Sequence, residues 1–360
     1  MNYLSEIRAF IQGGSPCLTD ISGLVAFAKA HGIEPFLRHK LKGIPISGDF
    51  SGHDRLLARV THQARIDKLQ KQLKAILHCL KQGGIETLVF RGPALANRHY
   101  KNAYLRSYAD LDLLVRPEQV DFALSLLISD GFTYYFPKKR EVVEPIERRK
   151  GVFTLLRGDL VLDLHIKPLT GPFSPFSDVE PFFSRKVECG IAGRTCHTLS
   201  DEDCLLMLAC HGPQHYWQKL RHLMDIHFLL KSNPNLDWLY TIDQAQKLRV
   251  EKALFLALNL LAQTLGTDAR DQYQNAGGGT YRIQNSCRFI INQVLLADPG
   301  KAPLLTALRV RLASCQNRRQ MAQVFGEKVF SPMPADILFT NLRLPRSLYG
   351  GVRLLRLMGK

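Results

Sequence analysis

The sequence predicts an α+β protein, in which a β-sheet core lies between two mainly helical regions. Residues 1–80 and residues 200–360 carry apolar side chains at helical spacing. Residues 81–199 instead contain short apolar runs separated by Gly, Pro and charged residues. A chain of 360 residues is long enough to bury a large core and to form two or three domains. We therefore predict a helical N-terminal region, a sheet core and a helical C-terminal domain with these boundaries.

Two helices are predicted in the N-terminal region. Residues 21–31 carry apolar side chains at helical spacing and stop at Gly32. Residues 53–81 form a long predicted helix that ends at Gly83 and Gly84. The side chains predicted to face inward from this long helix are Leu56, Val60, Leu69, Leu73, Ile76, Leu77 and Leu80.

The central region alternates between predicted strands and helices. Helices are expected to begin at Pro93 and Pro117, and Gly158-Asp159 has the composition of a tight hairpin turn. The charged stretch 137–150 is predicted to be a loop, and residues 167–183, rich in Pro, are predicted to be irregular. Five runs have the length and composition of strands: residues 87–90, 108–115, 132–136, 151–156 and 160–166.

Two acids stand out in the second of these strands. Side chains in a strand alternate between its faces, so Asp110 and Asp112 point the same way, while Leu111 and Leu113 point to the opposite face and into a core. Two carboxylates side by side repel each other unless a cation lies between them. A hard divalent cation with oxygen ligands is the usual solution.

A third acid lies on another predicted strand, where Asp163 and His165 share one face. Three acids on neighbouring strands suit a two-metal site for phosphoryl or nucleotidyl transfer. His165 is either a buried histidine bonded to the backbone or a residue that orients Asp163 or contacts substrate. The turn Arg91-Gly92, between a strand and a helix, would let backbone N–H groups approach a phosphate.

Composition narrows the class of partner and the compartment. The chain carries 48 Lys and Arg against 32 Asp and Glu, a net charge of +16, which favours anionic partners, although a solvated basic face has the same composition. The eight cysteines contain no Cys-x-x-Cys pair and are expected to be reduced thiols of a cytoplasmic protein. No apolar run reaches the roughly 18 residues of a membrane span, and no signal-peptide pattern is present.

The ordered set of motifs resembles the nucleotidyltransferase fold of the DNA polymerase β superfamily. More closely, it resembles an uncharacterised family of small bacterial nucleotidyltransferase-like proteins. Three departures stand out: Arg91 replaces the usual Lys, Pro93 stands where the wider superfamily has Ser, and Ile166 replaces the usual Trp. The matching segments are Arg91 to Leu95, Arg106 with Asp110 to Val115, Asp163 to His165, His211 to Trp217, and Leu220-Arg221 with Asp225.

The resemblance implies a nucleotidyltransferase-type mixed sheet and an enzyme that uses metal and nucleoside triphosphate (NTP). Such an enzyme transfers a nucleoside monophosphate to an acceptor hydroxyl or other nucleophile and releases pyrophosphate. Two Mg²⁺ ions would bind at Asp110, Asp112 and Asp163, which would also be the catalytic residues, and ATP is the expected NTP. The acceptor could be a small molecule, a peptide or a protein. The alternative is a non-catalytic nucleotide- or nucleic-acid-binding protein on the same fold. The residues implied to bind nucleotide are Arg91, Gly92, Arg106 and His165.

The helical C-terminal domain supplies further candidates for contact with substrate or nucleotide. His211 and His215 lie one helical turn apart and could form a satisfied structural pair, contact nucleotide or acceptor, or bind zinc; the third ligand that zinc requires is not evident. Arg106 and Arg221 could each clamp phosphate or form a salt bridge. Asp225 follows Arg221 by one turn and could contact substrate or nucleotide or simply pair with Arg221.

The C-terminal segment is basic and amphipathic. Residues 347–358 place Leu348, Val352 and Leu355 on one helical stripe. We predict a packed terminal helix there rather than a membrane anchor.

Overall fold

The computed structural model describes residues 3–16, 18–42, 52–137, 140–169, 176, 178–297 and 304–330. At its centre is a seven-stranded mixed sheet with the strand order β3-β4-β5-β2-β1-β7-β6. The pairs β2–β5 and β1–β7 are parallel and the other pairs are antiparallel. The strands are β1 (Leu88–Val89), β2 (Asp110–Leu114), β3 (Thr133–Tyr134), β4 (Val152–Arg157), β5 (Leu160–His165), β6 (Val187–Ile191) and β7 (Arg194–Thr198).

Helices precede, interrupt and follow the sheet, so the predicted α+β class is confirmed. Within the described ranges they are α1 (Tyr3–Ile11), α2 (Ile21–Ala30), α3 (Glu34–Lys40), α4 (Gly52–Gln82), α5 (Gly92–Arg98), α6 (Val120–Ser129), α7 (Arg140–Lys150), α8 (Glu180–Ser184), α9 (Asp201–Gln214), α10 (Arg221–Ser232), α11 (Trp238–Lys247), α12 (Glu251–Leu265), α13 (Arg270–Asn275), α14 (Gln284–Ile290), α15 (Leu304–Ser314) and α16 (Arg318–Phe330). None of the helices in these ranges combines the length and the apolar character needed to cross a membrane.

The two faces of the sheet bury different sets of helices. Leu111 and Leu113 of β2 belong to one apolar cluster with residues of α4 and α6. Leu114 belongs to a second cluster, in which helices α1 to α3 pack with α9, α10 and α12. Because side chains alternate along β2, Asp110 and Asp112 share the face of Leu114. The acidic face of β2 is therefore turned toward the helices that follow the sheet in sequence.

The loop predicted at residues 137–150 is wrong, because α7 occupies Arg140–Lys150. Three charged residues, Arg140, Glu144 and Arg148, follow one another at four-residue spacing and form ion pairs along the helix. Val143 and Ile146 are buried against the protein. The high charge and Pro145 suggested a loop, but packing of the apolar side outweighs the backbone hydrogen bond that Pro145 cannot donate.

The hairpin of β6 and β7 was not predicted from the sequence. Its turn residues Ala192 and Gly193 both have positive φ, 50° and 71°, as in the two-residue turns that match strand twist. The long helix was predicted correctly, but Leu56 and Val60 are not on its buried side, because about half of each is exposed. The predicted terminal helix at residues 347–358 lies outside the described residues. The three-part division of the chain stays a prediction.

Candidate active site

The acidic residues come together because β2 and β5 are parallel neighbours. The register places Asp112 directly beside Asp163, so their side chains leave the same face of the sheet. Asp112 is buried and Asp110, at the start of β2, is exposed. Among the described residues, one group offers ligand atoms that all lie within 4.8 Å of one another, and it consists of Asp112, Asp163 and His165. Asp110 lines the same cavity outside this group.

Arg91 contacts two members of this group, Asp112 and His165. Its Nη2 donates to Oδ1 of Asp112 and lies 3.1 Å from Nε2 of His165, which is itself 3.1 Å from Oδ1 of Asp112. The backbone of Arg91 has φ 59° and ψ −143°, a region that residues other than Gly rarely adopt, and Gly92 follows with φ 21°. The turn between β1 and α5 thus holds an arginine against the acids in a strained conformation.

The two paired carboxyl groups differ in their electrostatic surroundings. Burial alone would raise the pKa of Asp112, but the Arg91 guanidinium and the hydrogen bond with His165 outweigh it and leave this pKa below its usual range. Burial raises the pKa of Asp163, and the charge of Asp112 adds to this effect, although His165 and a 2.7 Å hydrogen bond from Thr154 oppose it. Asp112 thus has an arginine as its counter-ion, whereas Asp163 accepts a hydrogen bond from the neutral Thr154 hydroxyl.

The acids form one wall of a cavity of about 380 Å³, and α9 and α10 with the turn between them form the opposite wall. Asp225 is the one sequence-predicted site residue that does not line this cavity. The sequence-predicted residues that line it are Arg91, Gly92, Arg106, Asp110, Asp112, Asp163, His165, His211, His215 and Arg221. Residues of the opposite wall that the sequence did not single out are Gln214, Gln218, Lys219 and His222.

Three histidines cluster on the helical wall. The ring centroid of His211 lies 4.4 Å from that of His215 and 5.5 Å from that of His222. Burial lowers the pKa of His222, and burial next to Arg91 lowers that of His211, so these rings are neutral near pH 7. Within the described part of the chain, the cluster does not form a close group of metal ligands as the acids do. The sequence has three histidines within twelve positions, and this spacing could have indicated His222 as a further candidate.

The turn after α9 brings this cluster into place. Gly212 packs so closely on Trp217 that a side chain at that position would lie about 2.3 Å from the indole ring. Tyr216 and Trp217 both have positive φ, 57° and 55°. The chain therefore reverses tightly after His215, and α10 starts with Arg221 and His222 facing the cavity.

Of the two alternatives left open for Asp225, the pairing with Arg221 is not observed, because Asp225 pairs with Arg106. Arg106 makes a bidentate contact with Asp225 at 2.7 and 2.9 Å, and both side chains are buried. The Tyr100 hydroxyl also donates to Asp225, at 2.8 Å. Nη1 of Arg106 donates to the Gly92 carbonyl at 3.3 Å. Asp225 on α10 thus holds the turn that carries Arg91.

Arg221 instead points into the cavity. Its Nη1 donates to the carbonyl of Ser107 at 3.2 Å, while its buried Nε has no hydrogen-bond partner. Burial and the nearby Arg106 lower the pKa of Arg221. Neither Arg221 nor Lys219 forms an ion pair within the described residues, although Asp110 attracts both of them across the cavity.

Comparison with known proteins identifies the family of this chain. Two solved structures are similar to part of the chain. They are the crystal structure of ANT(2")-Ia in complex with adenylyl-2"-tobramycin and the solution structure of the antibiotic-resistance factor ANT(2'')-Ia. Each is 14% identical and covers 51% of this chain, with 97% and 89% of the solved chains covered and TM-scores of 0.38 and 0.35. No curated protein sequence matches the chain.

The sequence model of the uncharacterised nucleotidyltransferase family matches residues 18–266, which is more than half of the chain. This match confirms the resemblance drawn from the sequence motifs. The protein therefore belongs to the uncharacterised nucleotidyltransferase family and is a nucleotidyltransferase.

Proposed function

We propose that the protein transfers a nucleoside monophosphate from an NTP, with ATP as the expected donor, to a nucleophile on a separate acceptor. Nucleotidyl transfer in general follows from the family. The finer proposal rests on the charges that line the cavity. Carboxylates line one wall, and the other wall carries Lys219 and Arg221, which form no ion pair within the described residues. A nucleotide triphosphate with bound divalent cations has the matching charge pattern: the cations fit the acids and the phosphates fit the basic wall.

The residues of the acidic wall fit divalent cations. Asp112, Asp163 and His165 offer two carboxylates and an imidazole within a short distance of one another. The two carboxylates suit Mg²⁺ or Mn²⁺, with phosphate oxygens and water completing the shell. We propose that Asp110, on the same face of β2, joins them for a second ion. When bound, the ions would neutralise the charge that develops on the phosphates.

The basic wall supports binding of the phosphates. Lys219 and Arg221 project into the cavity without an acidic partner in the described part of the chain, and Nε of Arg221 is buried and unbonded. The buried Nε of Arg221 is a charged donor without a partner, which is costly, and a phosphate oxygen would relieve that cost. The neutral rings of His211 and His222 add hydrogen-bonding groups to this wall without adding charge.

The proposed reaction is an in-line displacement at the α-phosphorus. The acceptor oxygen forms a bond to that phosphorus, the bond to the bridging oxygen of the β-phosphate breaks, and pyrophosphate leaves with the electron pair. Asp163 is assigned to orient the acceptor hydroxyl and to accept its proton, since Thr154 fixes this carboxyl beside Asp112. The other cavity residues act by position and charge. We further propose a cytoplasmic location, on the basis of the unpaired cysteines.

The test uses each of the four NTPs labelled at the α-phosphate, with Mg²⁺ and a cell extract as the source of acceptor. We expect one NTP to label an acceptor, and we expect Asp112→Asn to abolish labelling while the protein stays folded. The matched control is Asp159→Asn, which changes an exposed acid on the β4–β5 turn. Labelling by Asp112→Asn within about tenfold of wild type would rule out the assigned acids.

A second candidate function, binding of nucleic acid, rests on a separate basic groove. This groove has a volume of about 810 Å³ and is lined by parts of α2, α3 and α4. A steep fall in affinity for random oligonucleotides with rising salt, together with no labelling of any acceptor, would favour this candidate. Its basic lining residues are Lys29, Arg38, His39, Lys42, Arg55, Arg59, His62 and Arg65.

A further inference from the structure

The guanidinium of Arg91 occupies the place where the acidic wall would hold a cation. Nη2 bonds to Oδ1 of Asp112 and lies 3.1 Å from Nε2 of His165. These two atoms belong to residues of the close ligand group, whose third member is Asp163. The contact is well shielded, since the side chains of Arg91 and Asp112 are 15% and 7% exposed. In this structure an arginine is thus the counter-ion of the metal ligands.

Arg91 and a divalent cation compete for Oδ1 of Asp112. Metal coordination at this oxygen uses the carboxylate lone pairs that now accept from Arg91. Two cations that approach the same carboxylate oxygen also repel each other, and burial strengthens this repulsion. A metal that binds at Oδ1 of Asp112 therefore favours movement of the guanidinium away from it.

The cavity offers the displaced guanidinium a second place. The backbone of Arg91 is fixed, because its carbonyl accepts the first hydrogen bond of α5, from the amide of Leu95 at 3.0 Å. The side chain is less constrained: Nη1 makes a 3.5 Å contact with His211, and Nε is buried without a partner. His211 belongs to the basic wall, so a rotation toward it carries the positive charge to the side assigned to phosphate.

Resting on the proposed function, we infer that Arg91 is a resident counter-ion that exchanges Asp112 for nucleotide phosphate when a divalent cation binds. Arg91 weakens binding of metal alone, because the metal must break the contact with Asp112. Phosphate in the cavity offers Arg91 a new partner and lowers that cost. Bound metal therefore raises the affinity for nucleotide, and bound nucleotide raises the affinity for metal by the same factor. This factor is larger than the bonds between metal and phosphate alone would give.

The test is a titration of Mn²⁺ followed by electron paramagnetic resonance, with and without a non-hydrolysable ATP analogue. Arg91→Met keeps much of the apolar stem and removes the charge and the donors. We expect this variant to bind Mn²⁺ alone at least about tenfold more tightly than wild type. We also expect the analogue to tighten Mn²⁺ binding by a smaller factor in the variant, since only direct coordination to phosphate remains.

Arg157→Met is the matched control. It removes an arginine that forms an ion pair with Asp130 and does not line the cavity. A change of less than about threefold is expected for Mn²⁺ alone. If Arg91→Met unfolds, Arg91→Lys replaces it: a shorter point charge cannot bridge Asp112 and His165, so Mn²⁺ should again bind more tightly than to wild type.

Two negative outcomes separate the inference from the proposed function. If wild type binds Mn²⁺ and the analogue, but Arg91→Met binds Mn²⁺ alone no more tightly than wild type and Arg157→Met do, the exchange role of Arg91 is wrong and the proposed function stands. If neither wild type nor the variants bind Mn²⁺ or the analogue, the proposed function fails, and the inference fails with it.

Discussion

The two walls of the cavity are built in different ways. The acidic wall consists of neighbouring strands, in which backbone pairing fixes Asp112 beside Asp163. The basic wall consists of helix ends and a tight turn, and its side chains are held by contacts with distant parts of the chain. Arg221, for example, bonds to the backbone at Ser107, and the amide of Leu220 donates to His31 at 3.2 Å. This contrast suggests that the first wall sets the chemistry and the second sets the fit to nucleotide and acceptor.

The largest expected effect is a loss of turnover on substitution of Asp163 in the acidic wall. Asp163→Asn should lower turnover by about a thousandfold, because the proton acceptor for the acceptor hydroxyl is lost. NTP affinity should stay within about threefold of wild type, since the basic wall is intact. Calorimetry of NTP binding beside a product assay measures both quantities. An equal collapse of binding and turnover would mean that Asp163 is structural.

The second largest effect is expected from breaking the buried ion pair of Arg106 and Asp225, which links the two walls. Asp225→Asn should lower the free energy of unfolding by about 3–5 kcal/mol, because it leaves Arg106 buried without its partner. Urea denaturation monitored by circular dichroism gives this value. The matched control is Asp243→Asn, which breaks an exposed pair with Lys247 and should cost less than about 0.5 kcal/mol. Similar losses in both variants would remove Asp225 as the link between the walls.

Breaking the basic wall should affect binding. Arg221→Met should weaken NTP binding by about tenfold to a hundredfold, the loss expected when one charge-assisted hydrogen bond of about 1.5–3 kcal/mol disappears. The measurement is calorimetric titration with ATP. Lys247→Met removes an exposed charge from α11, which does not line the cavity, and serves as control. Unchanged affinity in Arg221→Met would place the phosphates elsewhere.

The smallest effect concerns His31, which supports the basic wall from the N-terminal helices. Burial lowers the pKa of His31 from 6.5 to about 4. The unfolded chain therefore takes up a proton below pH 6.5 that the folded chain refuses, so stability is present above that pH and is lost as pH falls toward 4. His31 should contribute a loss of about 1.4 kcal/mol at pH 5.5. Urea denaturation of wild type and His31→Gln at pH 7.5 and 5.5 measures this term, and equal losses in both proteins would contradict it.

Local sequence patterns predicted most of the acidic wall. The alternation in β2 placed Asp110 and Asp112 on one face and Leu111 and Leu113 in the core, and the Gly158-Asp159 turn predicted the β4–β5 hairpin. Such predictions succeed because strand geometry depends on near neighbours in sequence. The hairpin of β6 and β7 was missed because β7 carries Cys196 as its one apolar residue. Helix α7 was missed because its high charge and Pro145 resemble the composition of a loop.

The sequence by itself determined the family, the α+β class and the acids of the site. Only the tertiary structure decided which charges meet. It paired Asp225 with Arg106 rather than with Arg221, it set Arg91 against Asp112, and it added His222 and Lys219 to the cavity. The physical reason is that an ion pair depends on distance in space, and residues separated by 119 positions, such as Arg106 and Asp225, approach each other only when the helices pack on the sheet.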